Sequence, residues 1–261
     1  MARSFTDFIT EEEQIENYKV IILTVEHGDK SITAKKFDKQ AQKMGMEVFL
    51  SDFKGVSLTF DDGKYSIKDK NNSMEFNSKE TVVFVRGTPT RDSHLDLISE
   101  LERIGCTCIN SRTTISICAD KYRSYVRMKD FKLNQPKTVL VPTEDDIDIA
   151  LEELDTKFPI ILKTLRGAGG VGVLFVESKR ALDSLVQLIY KQDPETDILI
   201  QEYIKTDFDV RVVLVGDTII GTMKREVVEG DFRSNYTQGG GVKSYKLSDE
   251  EIRQCLIAAK A

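Results

Sequence analysis

Lys19 opens a run to Val25 in which Thr24 is the only polar residue after the lysine, Val- and Ile-rich, the pattern of a strand buried on both faces. Ala34, Phe37, Ala41 and Met44 then recur at three- and four-residue spacing, Gly45 stops the pattern, and Met46 to Leu50 makes a second strand. Val56, Leu58 and Phe60 alternate with polar residues, Asp62-Gly63 is a hairpin turn signal, and Tyr65 and Ile67 resume the alternation, which reads as a surface hairpin. Asn71 to Ser78 reads as a polar loop. Thr81 to Val85 is a third buried strand, Leu95, Ile98, Leu101 and Ile104 mark an amphipathic helix, and Thr107 to Ile109 is a short strand after Gly105. Strands alternating with helices predict a small doubly wound parallel sheet over residues 1–115.

The style then changes. A helix is predicted from about Asp120 to Phe131, a strand over Thr138–Val141, a helix on Ile147, Ala150, Leu151 and Leu154, and a strand from Pro159 to Leu165. A glycine-rich loop leads to a strand at Val173–Val176, a helix on Leu182, Leu185, Val186 and Ile189, and a strand at Ile198–Ile204. This α+β unit covers 116–204. A third unit, 205–261, opens with a hairpin, Val210–Val215 and Thr218–Met223 around Gly216-Asp217. A polar loop from Glu226 to Gly241 follows, then a helix opened by Ser248 with Glu251 completing a capping box.

Composition narrows the function classes. With 261 residues the chain can bury a core without staples. A formal net charge of -6 argues against a surface built to hold a nucleic-acid backbone. No apolar run approaches the roughly 18 residues of a membrane span, and Met1 to Tyr18 is acidic and polar, so a cytoplasmic protein without a signal peptide is expected. Cys106, Cys108, Cys118 and Cys255 are expected to be reduced thiols, and Cys106 and Cys108 lack the partner pair a zinc site requires. His27 and His94 have no second ligand or nucleophile at a helpful spacing, so no metal ligand is assigned.

Gly167-Ala168-Gly169-Gly170-Val171-Gly172 satisfies G-x-G-x-x-G, yet a strand follows it where a dinucleotide fingerprint needs a helix, and Val173 stands where a P-loop needs Lys. What remains is a strand, glycine turn, strand flap whose amides can close over phosphates, with a plain hairpin turn as the simpler alternative. Lys163 precedes the flap, whereas a kinase lysine follows it, and neither His-Arg-Asp nor Asp-Phe-Gly occurs. Gln201, Glu202, Tyr203 and Ile204 end a strand where backbone groups could meet an adenine edge, or be an ordinary strand end. Asp209 and Arg211, two apart, should share one strand face, as a ribose and phosphate pair or as a surface ion pair. Lys224, Arg225 and Arg233, with Ser234 and Asn235, supply the donors expected around a transferring phosphoryl group, or a solvated loop.

Together these stretches resemble the RimK-like ATP-grasp ligases, from roughly Arg86 onward. The carrying residues are Ala119-Asp120-Lys121, Leu162-Lys163 with the glycine flap, Ile200–Ile204 with Asp209-Val210-Arg211, and above all Glu229-Gly230-Asp231-Phe232-Arg233-Ser234-Asn235 followed by Gly239-Gly240. Val85-Arg86-Gly87-Thr88 and Ile109-Asn110 also sit where that family has similar residues. The resemblance implies an α/β and α+β architecture: a pre-ATP-grasp domain over 1–115, a central lid subdomain over 116–204 and a C-terminal ATP-grasp subdomain over 205–261. It implies that Lys121 and Lys163 hold ATP phosphates, that Gly169, Gly170 and Gly172 form the flap, that Glu202, Tyr203 and Ile204 meet adenine, and that Asp209 meets ribose. Arg211, Arg225, Arg233 and Asn235 would face the acyl phosphate as the catalytic set, with Arg233, Ser234 and Asn235 also binding ATP.

The family's Mg²⁺ or Mn²⁺ ligands, an Asp and then Glu-x-Asn, have no counterpart before Ala261, so the last subdomain is expected to be incomplete. The expected activity is an ATP-dependent carboxylate-amine ligase, adding glutamate to a protein, peptide or small-molecule carboxylate. The alternative is a nucleotide-binding module without catalysis, or half of a split ligase completed by a second polypeptide; a homo-oligomer is a further expectation from the family.

Overall fold

The structure, a computed structural model, describes residues 18–25, 31–155, 157–167, 171–227 and 241–261. The calls on His27, Gly169, Gly170, Arg233, Ser234 and Asn235 lie outside the described residues. The chain forms two compact units that divide between Ala119 and Asp120.

The first unit runs β1 (Lys19–Thr24), α1 (Ile32–Lys43), β2 (Glu47–Asp52), β3 (Ser57–Asp61), β4 (Lys64–Lys68), β5 (Ser73–Phe76), β6 (Thr81–Arg86), α2 (Asp92–Arg103), β7 (Thr107–Ile109) and α3 (Arg112–Cys118). Strands β2-β1-β6-β7 make a parallel sheet in that order, with Lys19 opposite both Glu47 and Thr81. Alternation along each strand divides the core: Ile21, Leu23, Val83 and Val85 pack with Leu95, Ile98 and Leu101 of α2, and Val20, Ile22 and Phe84 pack with Ala34, Phe37 and Ala41 of α1. Burial on both faces is why β1 reads as an unbroken apolar run.

Three expectations are corrected here. The loop at 71–78 contains β5, which pairs with β4 to complete a three-stranded antiparallel sheet. That sheet is no surface excursion, because Ile67, Met74 and Phe76 enter the core beside Ile21 and Leu23. Helix α3 was unforeseen; it is opened by Ser111, whose side chain accepts from Thr114 N, and anchored by buried Ile115.

The second unit contains α4 (Lys121–Asp130), β8 (Thr138–Val141), α5 (Ile147–Leu154), β9 (Ile160–Thr164), β10 (Val173–Val176), α6 (Lys179–Gln192), β11 (Ile198–Glu202), β12 (Phe208–Val215), β13 (Thr218–Glu226), β14 (Val242–Ser244) and α7 (Asp249–Lys260). The first four strands form an antiparallel sheet ordered β10-β9-β11-β8. Its even-numbered positions Ile160, Leu162, Ile198, Ile200 and Val176 lie in one core with Ala150 and Leu154 of α5 and Leu182, Val186 and Tyr190 of α6. Tyr190 fits that apolar setting because its hydroxyl donates to Val141 O at 2.9 Å. Strand β11 stops at Glu202, two residues short of its expected end, and β14 adds a strand the sequence reading lacked. Helix α7 has the expected capping box of Ser248 and Glu251. Among the described residues no helix is long and apolar enough to cross a membrane.

Candidate functional site

The turn between β9 and β10 closes on Thr164, whose amide donates to Gly172 O at 3.0 Å. Gly172 has φ +74°, and a Cβ there would stand 2.3 Å from Thr164 Oγ1; Gly167 has φ +142°, and its Cβ would stand 3.0 Å from Val171 O. Both positions therefore need glycine for conformation and for space. At Gly167 and Gly172, the described glycines of this turn, the backbone is bare, as a phosphate-covering flap requires.

Two lysines converge on the same stem. Asp120 caps α4, its Oδ1 accepting from the amides of Tyr122 and Arg123 at 2.9 and 3.0 Å, which aims Lys121 at the end of β9. Lys121 Nζ donates to Thr164 O at 2.9 Å and to Leu165 O at 3.3 Å. Lys163, on β9 itself, donates from Nζ to Gln201 Oε1 at 2.6 Å. Burial lowers the pKa of both lysines; for Lys163 the Lys121 charge lowers it further, and for Lys121 nearby Asp120 works in the opposite direction. Neither ammonium has a carboxylate at ion-pair distance among the described residues: each is held by neutral oxygens. Positive charge that is part-desolvated and uncompensated has an anion as its natural partner.

At the end of β11, Glu202 is engaged on its own chain: its amide donates to Lys137 O at 3.0 Å and its Oε1 accepts from Lys137 N at 2.7 Å. Tyr203 meets Phe175 of β10 edge-on at 4.9 Å, and Ile204 is exposed beyond the last paired residue. Glu202 pairs with Ile160, three residues along β9 from Lys163, so this strand end lies farther along the sheet than the two lysines.

On the three-stranded sheet β12-β13-β14, Asp209 lies directly opposite Arg225. The two form a bidentate pair, Nε to Oδ1 at 2.7 Å and Nη2 to Oδ2 at 2.6 Å, so residues read separately as ribose and phosphate ligands are one unit. Arg211 is exposed on the same strand, and Lys224 Nζ sits 4.1 Å above the Phe208 ring. Thr138 carries no functional signal in the sequence, and Gln201 is expected only within a strand end that could meet an adenine edge. Gln201 Nε2 donates to Thr138 Oγ1 at 2.6 Å, and that hydroxyl donates to Pro136 O at 3.0 Å.

The donor set on the β9 stem, two ammonium groups and a glycine turn, fits a polyphosphate. It does not fit a metal, because no group of three or more His, Cys, Asp or Glu side chains is placed to hold one among the described residues.

Comparison with known proteins sets the class first. The RimK domain protein ATP-grasp from Sphaerobacter thermophilus DSM 20745 superposes with a TM-score of 0.61 at 20% identity, covering 79% of this chain and 72% of that one. The ATP-grasp ligase PsnB, solved with a phosphomimetic variant of its minimal precursor, Mg and ADP, superposes with a TM-score of 0.64 at 15% identity over 94% of this chain and 82% of that one. The fold is ATP-grasp-like, with the parallel sheet as its N-terminal unit. The family follows: residues 118–261 match the RimK-like ATP-grasp domain, and the chain belongs to that family. A probable alpha-L-glutamate ligase of Marinomonas sp. (strain MWYL1) is 36% identical over 166 residues, which cover 63% of this chain and 54% of that protein. The chain thus spans about half the length of the relatives it matches.

Proposed function

We propose that this chain is an ATP-dependent carboxylate-amine ligase of RimK type acting in the cytoplasm. A substrate carboxylate oxygen takes the γ-phosphoryl group of ATP, releasing ADP and giving an acyl phosphate. An amine then attacks the acyl carbon and inorganic phosphate leaves, forming an amide. Glutamate is the proposed amino acid, and a protein, peptide or small acid its acceptor. The observation that carries the reading is the pair Lys121 and Lys163, held on neutral acceptors beside the glycine turn.

In this scheme Lys121 and Lys163 bind the phosphates and the turn ending at Gly172, including Gly169 and Gly170, covers them. The strand end at Glu202, Tyr203 and Ile204 receives adenine through its backbone. Asp209 fixes the Arg225 guanidinium through two oxygens and is the residue proposed to meet the ribose. Arg211, Arg225, Arg233 and Asn235 stabilise charge on the transferring group, with Arg233 and Ser234 also on the nucleotide. Because the work is positioning and electrostatic stabilisation, no side-chain nucleophile is required.

The test is calorimetric titration with ADP and ATP, followed by ADP release in the presence of Mg²⁺, ATP, glutamate and candidate acceptor peptides. Glutamate-dependent release supports the ligase. Binding without release makes the chain a binding module, and absence of nucleotide binding by folded protein removes the whole reading.

A further inference from the structure

Lys163, Gln201 and Thr138 lie on three adjacent strands of the β10-β9-β11-β8 sheet. Lys163 pairs with Leu199 and Gln201 pairs with Thr138, so Gln201 stands one diagonal step from Lys163 and directly across from Thr138. Strand alternation puts all three on the face opposite Leu162 and Ile200, which are buried in the core with α5 and α6.

The direction of each hydrogen bond in this row is determined by chemistry. An ammonium can only donate, so Lys163 faces an oxygen of Gln201. Thr138 spends its single hydroxyl proton on Pro136 O, so toward Gln201 it can only accept, and it meets the amide nitrogen. Both neighbours demand the same orientation of the amide. A carboxylate in place of Gln201 would give Lys163 an ion pair and cancel one of the two charges left open to an anion.

Resting on the nucleotide-binding reading, we propose that Gln201 is a positioning residue for polyphosphate: oriented by Thr138, it fixes Lys163 through a neutral acceptor and so preserves the positive charge of the site. The affinity of the site is thereby set from a strand position that need not touch the ligand.

The experiment compares wild type with Gln201→Glu, alone and in a Lys163→Met background, and with Thr138→Val. Two readouts are taken: ADP affinity by calorimetry, and the titration of Lys163 followed through its ¹³Cε resonance, assigned by its loss in Lys163→Met. Gln201→Glu should move the Lys163 titration to higher pH and weaken ADP about tenfold or more, and the weakening should shrink when Lys163 is Met, since the two residues are coupled. Thr138→Val frees the amide to turn and should weaken ADP several-fold, so the test survives should Gln201→Glu not fold. An unchanged Lys163 titration in the folded variants, or an equal loss of affinity with and without Lys163, overturns the inference. Wild type that binds no ADP while its Lys163 titration responds to Gln201→Glu overturns the nucleotide-binding reading and leaves the pairing supported.

Discussion

Replacing Lys163 by Met separates the stability of the fold from the affinity of the site, because the two should move in opposite directions. Lys163 Nζ rests on one neutral oxygen, Gln201 Oε1 at 2.6 Å, and burial and the Lys121 charge together hold its pKa below the usual lysine range. A lowered lysine pKa means that the charged form is disfavoured in the folded state relative to the unfolded one. Removing the charge should therefore leave stability equal or raise it by up to about 1 kcal/mol. Affinity should fall, since a hydrogen bond to a charged group contributes about 1.5–3 kcal/mol, a loss of roughly 10- to 150-fold in Kd.

The pH dependence has a defined sign. The unfolded lysine keeps its proton up to 10.5, whereas the folded one releases it earlier. Between the lowered value and 10.5 the unfolded state binds more protons, so wild-type stability rises with pH and approaches that of the Met variant. Urea unfolding across this range and ADP calorimetry near neutrality measure both effects. A Met variant more than about 1 kcal/mol less stable than wild type, with unchanged ADP affinity, refutes the reasoning.

Gly172→Ala places a Cβ 2.3 Å from Thr164 Oγ1 at φ +74°, and should cost about 2 kcal/mol in urea unfolding; a neutral result would mean that the turn is not built as described. Tyr190→Phe removes the hydroxyl bond to Val141 O and should cost about 1 kcal/mol at neutral pH. Burial pushes the Tyr190 pKa up to about 12 from 10.0, so wild-type stability should drop toward that of the Phe variant as pH rises through this window, which denaturant titration from pH 9 to 12 checks. His94 is buried, stacked on Phe53 at 4.7 Å, with Nδ1 lacking a partner among the described residues, and burial followed by the charges of Arg91 and Lys54 lowers its pKa. Stability should therefore fall with acidification below 6.5, by at most about 1.4 kcal/mol per pH unit, and a His94→Phe variant should lose that slope.

The buried strands and amphipathic helices were legible because their signal is local: Val20–Thr24 and Ile198–Ile200 are runs of β-branched and aliphatic residues, and the α6 stripe recurs at helical spacing. What escaped depends on neighbours. Strand β5 has only Met74 and Phe76 facing the core, too few to mark a strand until β4 pairs with it. Helix α3, with its β-branched Thr113, Thr114, Ile115 and Ile117, reads poorly as a helix and is carried by its cap and by Ile115. Within the site, Lys163 and the glycine turn stood out by residue type, whereas the Gln201 contact and the Asp209–Arg225 pair required strand register, which one sequence does not disclose.

That dependence on register ties the site to the core beneath it. A slip of one residue between β9 and β11 would turn the side chains of one strand to the opposite face, moving either Ile160 and Leu162 or Ile198 and Ile200 out of the apolar layer while breaking the diagonal from Lys163 to Gln201. The burial of those four aliphatic residues with α5 and α6 therefore selects the one pairing that also sets the Lys163 ammonium on a neutral oxygen. The cost of leaving that charge without a carboxylate is carried by the apolar face, and the polar row is free to be shaped by the anion it meets rather than by the needs of folding.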